Sequence, residues 1–295
     1  MNEFKTYHPI VNFTYFVLVI GFSMFFMHPV CLCISLVCSF IYSVILKGKK
    51  AIKTNLIYML PMLIAMTLIN PAFNHEGVTI INYLPSGNPL TLESVIYGFA
   101  TAVMIVSIIY WFSCYNEVMT SDKFIYLFGK IIPSLSLILS MTLRFVPKFA
   151  AQLKVIANTQ RCMGRNISDG NIIKRAKHGL TILSIMVTWS FENAIETADS
   201  MKSRGYGIKG RTSFSIFTFD KRDRKAFFCI MLLGIYTFIG NIMGGMYFRY
   251  FPSMKWSENS LFSVSIFTVY FLLCMCPVII EIQEMIKWKA LKSKI

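Results

Sequence analysis

Charged residues are scarce in this sequence, and acidic residues are the scarcest. Only 15% of its 295 residues are charged and 14 are Asp or Glu, whereas a water-soluble domain has about 25% charged residues. The 29 Lys and Arg residues bring the formal charge to +15, but they cluster between long apolar runs. That distribution is typical of a membrane protein and argues against nucleic acid as a partner.

The sequence also lacks the common catalytic motifs. It has no Gly-x-x-x-x-Gly-Lys-Ser/Thr loop, which excludes ATP hydrolysis by that route, and neither His-Glu-x-x-His nor Gly-x-Ser-x-Gly occurs. The apolar runs contain no charged residue, which argues against an ion-coupled carrier and an intramembrane enzyme. None of the eight cysteines pairs in an oxidising loop, so no disulfide framework is implied. We therefore expect no catalytic residue, no cofactor and no metal.

What the sequence does contain is five long stretches without a charged residue. A helix needs about 20 apolar residues to cross a bilayer, and the 10–46 stretch is too long for one span or for a signal peptide. Proline disfavours helix in the residue before it, so we divide this stretch at His28-Pro29. The sequence therefore predicts an all-α membrane protein with about six spans, at 10–27, 29–46, 54–75, 94–116, 226–248 and 259–280.

The positions of lysine and arginine predict the side on which each loop lies. The block 119–225 holds 18 of the 29 basic residues, whereas the loop 74–93 has none. Basic loops are cytoplasmic in membrane proteins, so we expect both termini to be cytoplasmic. The predicted parts of the chain are an N-terminal membrane part (1–118), a cytoplasmic region (119–225) and a C-terminal membrane part with a basic tail (226–295).

The segment 124–143 allows two interpretations. It is apolar enough to suggest a seventh span, but Lys130 and Pro133 interrupt it and basic residues lie on both sides. A span would place one of those basic clusters outside the cell. The sequence favours an interfacial or shallowly re-entrant helix, with a seventh span as the alternative.

Two long amphipathic helices are predicted in the basic block, and each ends near an arginine and a glycine. In 144–164, an arc of about 80° holds the apolar side chains, and Gly164 is a natural stop. In 178–203, a similar stripe faces away from Glu192 and Asp199, and Gly205 follows Arg204. The apolar residues are Phe145, Phe149, Leu153 and Ile156 in the first helix, and Leu180, Leu183, Val187, Phe191, Ala194, Ala198 and Met201 in the second.

These helices either lie on an anionic leaflet or bind a soluble partner. Basic residues near a membrane surface are each worth about 1 kcal/mol as electrostatic anchors. Acidic residues such as Glu192 and Asp199 would face the lipid headgroups unfavourably. Two arginine and glycine stops instead suggest two equivalent acidic grooves on a partner, since a guanidinium stays charged and offers a planar fork of donors to carboxylates.

At these residues the chain resembles the T component of energy-coupling factor (ECF) transporters, also called the CbiQ-like cobalt transport family. The resemblance covers nearly the whole chain. Its elements are His28-Pro29, the stretch from Pro71 to Gly77, Thr91-Leu92-Glu93-Ser94, Met119-Thr120-Ser121-Asp122-Lys123-Phe124, Leu143-Arg144-Phe145-Val146-Pro147, Thr159-Gln160-Arg161 and the stretch from Ala198 to Gly207.

The resemblance implies a scaffold in a prokaryotic plasma membrane. Such a scaffold holds two ABC-type ATPase subunits through two or three long cytoplasmic coupling helices, and it carries a small substrate-binding membrane subunit (the S subunit). ATP-driven motion then reorients the S subunit for uptake of a vitamin or a transition-metal ion. The resemblance assigns Ser203, Arg204 and Gly205 to one ATPase groove, with Arg204 as the inserted residue.

The first arginine motif departs from that family pattern. The family has Ala-Arg-Gly where this chain has Cys162-Met163-Gly164, so Met163 stands at the expected arginine. Arg161 and Arg165 are the alternative sources of the charge. A conventional ABC permease subunit that forms the substrate path itself is the alternative function, although one short coupling helix would be typical of it.

Overall fold

The computed structural model describes residues 3–83, 87–129, 132–165, 171–208, 217–256 and 261–292. These residues form helices joined by short connections, with two small antiparallel hairpins, β1 (Ile80–Tyr83) with β2 (Pro89–Thr91) and β3 (Phe248–Arg249) with β4 (Lys255–Trp256). The helices are a 3-10 turn (Glu3–Thr6), α1 (Pro9–Phe25), α2 (Pro29–Lys47), α3 (Lys49–Phe73), α4 (Leu92–Val118), α5 (Ser121–Gly129), α6 (Pro133–Cys162), α7 (Ile172–Ser203), α8 (Lys221–Ile242) and α9 (Leu261–Lys292). The predicted all-α class is confirmed.

Six of these helices correspond to the six predicted spans. By length and composition α2, α4, α8 and α9 are each able to cross a membrane, and α1 and the Met59–Phe73 part of α3 are shorter apolar helices. The predicted break at His28-Pro29 is confirmed: Pro29 opens α2, and the His28 side chain accepts a hydrogen bond from Val30 N. A multi-pass membrane protein follows from this pattern.

Several helices extend beyond the predicted span limits, and α8 and α9 are two examples. Helix α8 begins at Lys221 because Asp220 and Asp223 form a capping box there, which satisfies the free backbone donors of the first turn. Helix α9 continues to Lys292 through the predicted basic tail. The predicted spans end at the nearest charged residue, whereas the helices continue through charged residues at their ends.

The ambiguous segment 124–143 belongs to two helices. Helix α5 ends at Gly129 and α6 begins at Pro133, where proline is favourable in the first helical turn. Among the described residues, neither α5 nor α6 meets the length and hydropathy expected of a span. Helix α6 runs from there to Cys162 without a break, so the amphipathic helix starts eleven residues before the predicted Arg144.

The chain divides into two compact units, Met1–Phe124 with Phe217–Ile295 and Ile125–Ile216. The first unit has a core of large aromatic side chains, in which Tyr15, Tyr42 and Trp111 are fully buried. Two of its polar side chains are paired between helices: Trp111 Nε1 donates to Ser35 Oγ at 3.0 Å, and the Tyr15 hydroxyl donates to the Cys274 carbonyl oxygen at 3.0 Å. Inside a bilayer such pairing lowers the cost of burying these groups, because no water is available to satisfy them. The buried Tyr42 hydroxyl has no hydrogen-bond partner among the described residues.

The loop before α4 joins two sequence elements of the family resemblance. The Glu93 carboxylate accepts hydrogen bonds from the backbone N and the hydroxyl of Thr79, at 3.2 and 2.9 Å. Gly77 has a φ of 145°, and a Cβ there would lie 2.6 Å from Glu93 Oε2, so only glycine fits. The stretch ending at Gly77 and the Thr91–Ser94 stretch are therefore two sides of one structural contact.

Candidate partner-binding helix ends

The end of α7 holds the predicted Ser203, Arg204 and Gly205 in a Schellman motif. Arg204 is the C-cap, with φ −84° and ψ 9°, and Gly205 follows with φ 74°. Gly205 N donates to Lys202 O at 2.9 Å, and Tyr206 N donates to Met201 O at 3.0 Å. These bonds satisfy carbonyl groups that the end of a helix leaves unpaired.

The end of α6 repeats this geometry. Met163 is the C-cap, with φ −83° and ψ 11°, and Gly164 follows with φ 75°. Gly164 N donates to Arg161 O at 3.0 Å, and Arg165 N donates to Gln160 O at 2.9 Å. The backbones of the two helix ends therefore match residue for residue.

This match decides which residues correspond. Met163 occupies the position of Arg204, Arg161 that of Lys202, and Arg165 that of Tyr206. Arg161 and Arg165 therefore flank the cap position, which Met163 occupies. Residues 161–165 and Ser203 and Arg204 are all exposed, and 57% of the Met163 surface is accessible.

The Schellman motif alone does not identify a partner site. Helix α8 ends in the same way, with Met243 as its C-cap and Gly244 at φ 80°. The motif stops a helix and leaves the cap side chain projecting from its end. Any recognition at α6 and α7 must therefore come from the side chains at the cap and beside it.

Helices α6 and α7 pack against each other in opposite chain directions. The rings of Phe149 and Trp189 lie 5.5 Å apart, edge to face, and Lys148 Nζ donates to Asn193 Oδ1 at 2.5 Å. Ile156 and Ile182 are buried further along the same contact. Residue numbers rise along one helix as they fall along the other, so the two C-terminal ends point in opposite directions.

The predicted stripe of α6 packs better than that of α7. Phe145 stacks on Phe149, and Ile156 is buried. In contrast, the α7 stripe from Leu180 to Ala198 is exposed, and Phe191 is 68% accessible. At 100° per residue, the face of α7 that holds Ile182, Trp189 and Asn193 lies about 140° around the helix from that stripe. Sequence reasoning found an apolar face of α7 but missed the face that contacts α6.

Metal binding has no support among the residues that the structure describes, since they contain no group of three His, Cys, Asp or Glu side chains arranged for an ion. The two helix ends also carry no nucleophile and base pair.

The chain is similar to known transporter membrane subunits. A model of the CbiQ family, described as cobalt transport protein, matches residues 6–214. Among curated relatives, the energy-coupling factor transporter transmembrane protein EcfT of Lactobacillus helveticus is 38% identical over 107 residues, which is 35% of this chain and 38% of that protein. The EcfT proteins of Streptococcus equi (33% over 105 residues; 35% and 39%) and Bacillus selenitireducens (33% over 112 residues; 38% and 42%) are comparable.

The matched part spans about two fifths of the length of these curated relatives. The family match is broader, because it covers well over half of the present chain and includes both helix ends. With an all-α membrane fold and two capped helices in the matched region, the chain belongs to the CbiQ family of cobalt transport proteins.

Proposed function

We propose that this chain is the transmembrane scaffold (T component) of an ECF-type importer. It transmits ATP-driven motion from two ATPase subunits to a substrate-binding S subunit, for uptake of a vitamin or a transition-metal ion. The observation that carries the proposal is the pair of long antiparallel helices with matching exposed caps. Both termini and the α6–α7 region then lie in the cytoplasm, as the distribution of basic residues favours.

Arg204 is the residue that enters an ATPase groove in this proposal. Its guanidinium keeps its charge and forms two parallel hydrogen bonds to a carboxylate. Helix α7 has 32 residues, and a rise of 1.5 Å per residue makes it about 48 Å long. A rod of this length, held at its end by a charged contact, carries displacement over a large distance.

The two ends fit different grooves. At the α6 end the exposed Met163 offers an apolar tip between Arg161 and Arg165, whereas the α7 end offers a cation at the same position. An acidic groove would leave a carboxylate unpaired against methionine, which is costly on burial. We therefore propose that the two ATPase subunits are different proteins, or that they present different grooves.

The exposed apolar stripe of α7 supports a membrane partner. Leu180, Leu183 and Phe191 are each more than half accessible, and contiguous exposed apolar surface marks an interaction site. The S subunit is the proposed occupant. The chain itself has no catalytic role in this proposal, and its partners hydrolyse ATP.

The test is co-purification of the full chain with its two candidate ATPase subunits. We expect the parent to hold both subunits, and Arg204→Glu to lose one of them, because a carboxylate would face the carboxylates of the groove. Met163→Glu reports on the other groove. The matched control is Lys154→Glu at an exposed position inside α6, which makes the same charge change as Arg204→Glu more than two helical turns from Met163 and far from Arg204.

Two results would contradict the proposal. One is full retention of both ATPase subunits by Arg204→Glu. The other is binding of the chain to anionic vesicles alone, with equal loss for Arg204→Glu and Lys154→Glu, which would indicate helices that lie on a leaflet. ATP-dependent uptake by the chain and ATPases without any S subunit would instead favour a conventional permease.

A further inference from the structure

The first compact unit, Met1–Phe124 with Phe217–Ile295, is called the membrane unit below. In it, the short segment Glu3–His8 contacts the start of α5, the start of α8 and helix α9 through buried polar groups. Phe4 is fully buried between Tyr15 and Tyr42, with ring centroids 5.3 and 6.5 Å away. Its backbone N donates to Glu281 Oε1 of α9 at 3.3 Å. This apolar side chain and the carboxylate of α9 fix the segment to the core of the spans.

The start of α8 is attached to the same segment. The Asp223 carboxylate accepts from His8 N through Oδ1 at 3.3 Å and from Asp220 N through Oδ2 at 3.2 Å. The ring of His8 lies edge to face against Phe219, with centroids 5.1 Å apart. Arg222 donates to the Thr6 hydroxyl at 3.1 Å and covers the Tyr7 ring.

The start of α5 is attached there too. Lys123 Nζ donates to the Lys5 carbonyl oxygen. In the amide orientation that satisfies both of its partners, Asn12 accepts from Lys123 Nζ at 2.7 Å and donates to Phe4 O at 3.1 Å. Lys123 is only 5% accessible and Asp223 only 2%, so both charges depend on these contacts for their stabilisation.

These two attachments lie at the two places where the chain passes between its compact units. The Ile125–Ile216 unit begins two residues after Lys123, and the membrane unit resumes at Phe217, two residues before Phe219. One six-residue segment therefore holds both connections of the α6–α7 unit. The chain is therefore fixed where it leaves the first unit and where it re-enters it.

We infer that Glu3–His8 is a clasp that fixes both connections of the α6–α7 unit to the membrane helices, and that Lys123 and Asp223 are its positioning residues. The inference rests on the proposed coupling function. Buried apolar contacts would hold the connections as tightly, but buried charges with fixed hydrogen-bond partners hold them in one register, since a shifted register leaves a buried charge without those partners. A fixed register passes displacement to the spans, whereas a sliding connection would absorb it.

The experiment measures transmitted motion rather than stability. The full chain is purified with its two ATPase subunits, and the exposed Cys33, Cys162 and Cys229 are replaced by Ala. Spin labels are attached at Thr188→Cys on α7 and Lys289→Cys on α9, both exposed positions. The distribution of distances between the two spin labels is recorded by pulsed electron–electron double resonance, first without nucleotide and then with ATP and vanadate.

The clasp variants are Lys123→Met and Asp223→Asn. We expect them to retain ATP hydrolysis within about twofold of the parent and to lose at least half of its ATP-dependent distance change. The matched controls are Lys225→Met and Asp122→Asn, which make the same changes at exposed neighbouring positions and should keep the full change. Arg222→Ala removes only the outer contacts to Thr6 and Tyr7 and should lose an intermediate part of the ATP-dependent distance change. It replaces the buried variants in the test if those do not assemble.

Two outcomes separate this inference from the proposed function. If the clasp variants assemble and show the parent's full distance change, the clasp is overturned even where their thermal stability falls, because its role would then be structural only. If the parent complex itself shows no ATP-dependent change, the proposed coupling function fails, and the clasp inference fails with it.

Discussion

The ends of α6 and α7 have the same backbone and different side chains. Both are Schellman motifs with a glycine near φ 75°, and their cap residues have φ and ψ values within about 2° of each other. Yet one cap is Met163 and the other is Arg204. The comparison teaches that a glycine fixes how a helix stops, whereas a single side chain at the cap determines what the helix end can bind.

The largest effect is expected from truncating the two caps. Arg204→Ala should weaken ATPase binding by about 30-fold or more, because it leaves groove carboxylates buried and unpaired, at a cost of about 2–5 kcal/mol. Met163→Ala removes only apolar contact and should cost about tenfold or less, or roughly 1.4 kcal/mol. Surface-immobilised complexes titrated with each ATPase subunit would measure both. Equal losses would contradict the difference between the two grooves.

The second test places an arginine at both ends. Met163→Arg should weaken binding at the α6 end by about tenfold, since a guanidinium would enter an apolar groove without a carboxylate. Met163→Leu, which keeps the volume and the apolar character, should bind like the parent. Tighter binding by Met163→Arg would indicate that both grooves are acidic and that Met163 binds its groove less tightly than an arginine would.

The third test examines the backbone that the two ends share. Gly164→Ala and Gly205→Ala should each destabilise their helix end by about 1–2 kcal/mol, because alanine is strained at positive φ. Gly205→Ala should cost slightly more, since its Cβ would lie 3.0 Å from Ile208 Cδ1. Hydrogen exchange of the last helical turn would report both.

The control for this backbone test lies inside α7. Gly179 has open space around its Cβ position and no positive φ, so Gly179→Ala should stabilise the helix by about 0.5–1 kcal/mol. If Gly164→Ala and Gly205→Ala behaved like Gly179→Ala, the glycines would not be required for the helix stops.

The smallest effect is expected from the charges that flank Met163. Arg161→Gln and Arg165→Gln should change affinity by less than about threefold at physiological salt, because rim charges act mainly on the association rate and its salt dependence. Association rates measured at low and high salt would test this. A loss as large as that of Arg204→Ala would mean that a flanking arginine substitutes for the missing cap arginine.

The spans and the helix stops were predictable from sequence, and the contacts between elements were not. Uncharged stretches predicted all six apolar helices, and His28-Pro29 predicted the break between α1 and α2. The start of α6 at Pro133 was missed because charge and proline around 124–143 obscured a continuous helix. The distribution of charged and proline residues reports local composition and does not show whether a helix continues through it.

The faces and long-range contacts were missed for a related reason. Hydrophobic periodicity identified the stripe of α7 but not its contact with α6, because periodicity reports which side chains avoid water and not which neighbour they meet. The clasp joins His8 to Asp223 and Phe4 to Glu281. More than 200 residues separate the members of each pair, so no local pattern could indicate them.

The contact between α6 and α7 lies at nearly equal distances from their two caps. At 1.5 Å per residue, Met163 lies about 21 Å along α6 from Phe149, and Arg204 lies about 22 Å along α7 from Trp189. The Phe149–Trp189 contact is therefore a pivot with nearly equal arms. In the proposed function, a displacement of either cap by its groove would act on this contact through a lever of nearly the same length.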